Sequence, residues 1–105
     1  MILVTTDTVD GREIEKVFGL VRGNTVRGAP AQQDFHAWMQ NLVGGEIAEY
    51  TKLLAQCREQ ALDRMTAEAR DRGADAVVGV RFVSSEITEG AAEILAYGTA
   101  VKLKE

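Results

Sequence analysis

An α+β domain built on a four-stranded, mainly antiparallel sheet is predicted, and three observations predict it. The hydrophobic period changes after Ala31 from strand-like runs to helical spacing, and changes back after Gly73. Between those points Ile47, Tyr50, Leu54, Cys57, Ala61, Met65 and Ala69 form one apolar stripe of about six turns. Two apolar runs, Ala76 to Ile87 and Glu93 to Leu103, then flank the turn-like segment TEGA. The order is β-β-α-α-β-β, with a long amphipathic helix and a short helix on one face of the sheet.

The elements follow in chain order. ILVTT, residues 2–6, is a short strand rich in β-branched residues, and Asp10-Gly11 marks a turn. Glu13 to Val21 reads as a second strand, with Ile14, Phe18 and Leu20 on one parity and Val17 and Val21 on the other. RGNTVRGAP reads as punctuation, with a tight turn at Gly23-Asn24 and breaks at Gly28 and Pro30. Phe35, Trp38, Met39 and Leu42 fall at i, i+3, i+4, i+7, the face of a short helix that Gly44-Gly45 ends. The long helix begins near Glu46. Its polar face carries Glu49, Lys52, Arg58, Asp63, Glu68 and Arg72, and Glu68 is placed to pair with Arg72. Arg70 and Arg72 suit the helix C-terminal dipole, and Gly73 suits a left-handed stop.

Gly79 sits inside the third strand, where a glycine marks either a bulge or the close approach of another backbone. In the fourth strand Ala96, Gly98 and Ala100 make a small face, while Leu95, Tyr97, Thr99, Val101 and Leu103 make a large one. A small face lets the helix, or a neighbouring subunit, sit close to the sheet. One helix layer covers one side only, so the large face calls for a second cover, which a partner copy can supply.

The bulk numbers bound the function. At 105 residues the chain reads as a single domain spanning 1–105, with enough length for a core of its own. A net charge of −4 argues against a nucleic-acid partner, which needs a basic footprint. MILVTTDTVDG lacks the basic and long apolar parts of a leader or membrane span, and one cysteine makes no internal disulfide. A cytoplasmic protein away from membranes is expected.

Several segments occur together in a recognisable order: GLVRGNTVRG, VGGE at residues 43–46, R-x-x-A-x-x-RM from Arg58 to Met65, GADAVVGVRF, and AYGTAVK. In these the chain resembles the YbjQ-like family of small proteins, which carries a heavy-metal-binding label. The resemblance covers nearly the whole chain. It implies a dodecin-like α+β subunit that assembles into a ring-shaped homopentamer, and it implies no assigned activity. No catalytic or metal-binding residue carries over from it. FHAWMQNL departs from the family pattern, so His36 and Trp38 are local features of this chain.

The residues that could carry chemistry are few. His36, beside Met39 on the short helix, and Cys57, within the long stripe, are the candidate metal ligands. Cys57 has no second Cys or His three or four residues away, and a structural zinc site needs about four donors. A metal therefore needs donors from several copies around a symmetry axis; within one chain, a stripe cysteine reads as core. Arg22, Asn24 and Arg27 form a candidate anion-binding or interface cluster, through forked guanidiniums and glycine-flanked amides. Ser84 and Ser85 lie at a strand end, far along the chain from the one histidine, and no G-x-S-x-G is present. The chain is read as a non-enzyme. A ring-forming homo-oligomer holding a metal ion or small ligand between subunits stands beside a purely structural or protein-interaction module with no ligand.

Overall fold

The computed structural model describes residues 1–28, 47–88 and 91–105. The expected short helix, with His36, Trp38 and Met39, lies outside the described residues. The rest is α+β. Strands β1 (Ile2–Leu3), β2 (Ile14–Gly28), β3 (Ala76–Thr88) and β4 (Ala91–Leu103) form one sheet, and helix α1 (Ile47–Asp71) packs on it. The strand order is β1-β3-β4-β2. β2 and β3 each pair antiparallel with β4, while β1 runs parallel to β3, so the sheet is mixed. Among the described residues no helix is long and apolar enough to cross a membrane.

From Cys57 onward the apolar stripe buries where the periodicity places it. Ala61, Met65 and Ala69 are fully buried against Val21, Val77, Val80, Ala96 and Ala100. The small face of β4 is therefore the helix face. The helix stops as expected. Gly73 adopts φ +85°, its N–H donates to Arg70 O (3.0 Å), and Ala74 N–H donates to Ala69 O (3.1 Å). This is a Schellman closure, with Ala74 packed beneath the last turn. A side chain at Gly73 would meet nothing within 4 Å, so only the backbone conformation opposes one. Gly73→Ala is expected to cost about 1 kcal/mol, read as a lower urea midpoint at unchanged slope.

Three details differ from the expectation, and one, at Gly79, settles an alternative that the sequence leaves open. First, β2 does not turn at Gly23-Asn24 but runs on to Gly28, paired residue by residue with β4 as far as Gly28↔Ala91. Gly23 serves the helix instead. A Cβ there would lie 2.3 Å from both Ala61 O and Met65 N. Second, register shifts between Ile14 and Lys16 and between Val17 and Gly19 break the parity of β2. Phe18 packs with Val21 on the helix side, and Leu20 is left on the other face, 56% exposed. Third, Gly79 is a bulge. Its φ is +63°, the register slips between Val78 and Arg81, and its Cβ position is open. The extra residue keeps Val77 and Val80 on the helix side and Val78 and Arg81 on the other. Fourth, regular pairing of the first strand ends at Leu3 rather than Thr6. The bulge bends β3 away from the ladder pattern, yet the contact continues through Val4 N–H to Val77 O (3.0 Å), Val80 N–H to Val4 O (3.0 Å) and Gly79 N–H to Thr6 O (2.8 Å).

The N-terminal segment then turns at Asp10-Gly11, with Gly11 at φ +77°, and covers part of the far face. Val4, Val9 and Ile14 pack there on Ala76, Val78, Val101 and Leu103. Half of the large face thus finds its cover within the chain.

Candidate functional site: the open face of the sheet

The other half of that face has no such cover among the described residues. The register lays it out in cross-strand rows from β2 through β4 to β3. Leu20, Thr99 and Val78 form one row; Arg22, Tyr97 and Arg81 the next; Asn24, Leu95 and Val83 a third; Val26, Glu93 and Ser85 a fourth. Their backbones lie about 4.8 Å apart from strand to strand, so each row is a contiguous strip. Leu20, Val26 and Val83 are each about half exposed, and Val17 beside them is 60% exposed. The face is apolar at its ends, with a Tyr flanked by two arginines between them.

Arg81 and Asn24 are held by hydrogen bonds. Arg81 donates through Nη1 to Thr5 O (2.8 Å) and Val80 O (2.9 Å), which ties the N-terminal segment to β3. Asn24 donates through Nδ2 to Glu93 Oε2 (2.9 Å). Arg22 is exposed on the same face. The structure therefore brings Arg22 and Asn24 together, two residues apart on one strand face. Arg27 lies further along β2, opposite Ala92, and its side chain is outside the described part. Because β2 is continuous here, its amides run in a sheet ladder instead of the glycine turn expected to cradle an anion.

Cys57 lies on the opposite side, under α1. Its thiol is free and buried, at 4% exposure, and its backbone carbonyl accepts from the buried Thr25 hydroxyl (3.1 Å). His36 lies outside the described residues. Among the described residues no three His, Cys, Asp or Glu side chains gather into a metal-holding group. The described part of one chain thus does not fit a heavy-metal site, and a buried thiol behaves as a small core residue.

Sequence reading missed Arg81 and the exposed valines. The bulges at Gly19 and Gly79 decide which face they take, and a glycine is the one trace these two bulges leave in the sequence.

The described residues define the class: a small two-layer α+β fold, with a helix packed on one face of a mixed four-stranded sheet and the other face half open. The chain belongs to the YbjQ family, whose sequence profile, described as "Putative heavy-metal-binding", matches residues 1–104. It is similar to UPF0145 proteins across two domains of life. The relative from Methanococcus maripaludis is 56% identical over 104 residues, covering 99% of this chain and 93% of the relative. One from Methanosarcina acetivorans is 50% identical over 103 residues, covering 98% and 97%. One from Vibrio parahaemolyticus is 49% identical over 105 residues, the full length of both. Among solved structures, a protein of unknown function from the DUF74 family of Pediococcus pentosaceus superposes with a TM-score of 0.67 at 14% identity, covering 99% of this chain and 98% of that one. That likeness is one of fold.

Proposed function

We propose that this chain is a non-enzymatic, cytoplasmic subunit that assembles with copies of itself through the open face of its sheet. The assembly is a closed ring of the homopentameric, dodecin-like kind implied by the family resemblance. Any metal ion or small ligand is held between subunits. The observation that supports this reading is one open sheet face that exposes four large apolar side chains, Val17 and Leu20 towards one end and Val26 and Val83 towards the other. Single exposed apolar residues are ordinary, but several on one face, interleaved with polar groups, mark an interaction surface. The rows between them carry Arg22, Tyr97 and Arg81, and arginine and tyrosine are residue types enriched at protein interfaces. The family description adds a metal ion to the ligands worth testing. Since one described chain gathers no donor set, a metal here requires donors from several copies.

Sedimentation velocity of Leu20→Glu and Val83→Glu tests the surface. Both positions face away from the helix-side core, so the fold is expected to survive while the assembly dissociates to lighter species. Variants that sediment with the parent at equal concentration contradict the reading. A lighter parent that instead captures a different protein favours the interaction-module reading.

A further inference from the structure

The R-x-x-A-x-x-RM segment of α1 and the neighbouring Arg72 perform a task that the open face does not explain. Among the described residues β2 is an edge strand of the sheet, 15 residues long. Such an edge offers unpaired N–H and C=O groups to any passing strand. Two arginines of α1 reach it. Arg64 donates through Nη1 to Asn24 O, and Arg72 donates through Nη1 to Leu20 O (3.1 Å). The spacing is commensurate: eight helical residues rise about 12 Å, and four strand residues about 13 Å. Leu20 and Asn24 share one parity, as does Arg22 between them, so their backbone groups point to the same side of β2. The Gly23 contact brings the helix close enough for both side chains to reach. Arg72 is further fixed by Glu68 (3.2 Å), one turn back on α1.

We propose that Arg64 and Arg72 close the β2 edge to strand addition by another copy of this chain. They occupy the outward carbonyls of Asn24 and Leu20 and lay two guanidiniums along the edge. Assembly is thereby confined to the sheet face, since head-to-tail strand pairing at a free edge grows into open filaments wherever the rotation does not close. This inference rests on the proposed self-assembly for its biological sense, but the edge itself is testable whether the parent is a ring or a monomer.

The test is the double variant Arg64→Met/Arg72→Met, which keeps much of the stem packing and removes the donors. Mass photometry across a concentration series is expected to show a ladder of species heavier than the parent's. Arg22→Pro, added to the double variant, removes the outward N–H at the centre of the edge without taking a bond from the β4 ladder. Because Arg22 also lies on the open face, Arg22→Pro alone is the reference, and the triple variant is expected to match its mass distribution. A double variant with the parent's distribution overturns the proposal. So do species in the triple variant heavier than those of Arg22→Pro alone, because growth then does not run through this edge. A parent that is monomeric removes the ring and leaves these outcomes unchanged in meaning.

Discussion

Gly23→Ala is expected to destabilise the fold by about 3 kcal/mol, at the upper end of what one added methyl costs in a packed interior. The new Cβ would sit 2.3 Å from Ala61 O and from Met65 N, and 2.7 Å from Arg64 Cβ. Two of these are backbone atoms of a long helix, so no rotamer change relieves the contact. The helix must lift off the sheet, and Ala61, Met65 and Ala69 lose packing together. Urea denaturation followed by far-UV circular dichroism reads the loss directly. A cost below about 1 kcal/mol, within the range of ordinary substitutions, would mean that α1 does not approach β2 as closely as described.

Met65→Ala has the second large effect, expected at about 3 kcal/mol. Met65 heads the largest fully buried side chains and lies at the centre of the helix-side core. Its removal leaves a cavity among Val21, Val77 and the small residues of β4, which cannot extend to fill it. The two substitutions are adjacent yet do not offset each other. The clash at Gly23 is with the Met65 backbone nitrogen, which truncation of the side chain leaves in place. The double variant is therefore expected to be less stable than either single one. Recovery in the double variant would show that the Met65 side chain, and not the helix backbone, limits the space over Gly23.

Much of this architecture was legible in the residues. The stripe from Leu54 to Ala69 gave the helix and its buried side, because a 3.6-residue period has no rival over that length. Gly73 gave the stop, since only a left-handed closure follows a helix there at low cost. The small face of β4 marked a close approach by the helix or a neighbouring subunit, and the helix is what lies there. What escaped was the work of the other glycines. Gly23, next to Asn24, carries the local signature of a turn, and only a helix from elsewhere in the chain reveals it as a contact point. Gly19 and Gly79 shift the alternation by one residue, so parity counted along β2 assigned Phe18 and Leu20 to the same face when the fold separates them. The candidate site was legible only in part. Arg22 and Asn24 share a face as neighbours on one strand, but the row through Tyr97 to Arg81 is made by register, which no single segment encodes. Cys57 was correctly placed in the stripe, and its burial follows from that position.

The central claim is self-assembly through the open face, and native mass spectrometry of the untagged protein, desalted gently into ammonium acetate, tests it most directly. It weighs the assembly and any retained ligand at once. The expected result is one closed species of five chains, with any metal or ligand mass present in a fixed ratio to subunits. Mass at a single chain across the micromolar range would contradict the claim, and would leave the exposed Val17, Leu20, Val26 and Val83 without a role.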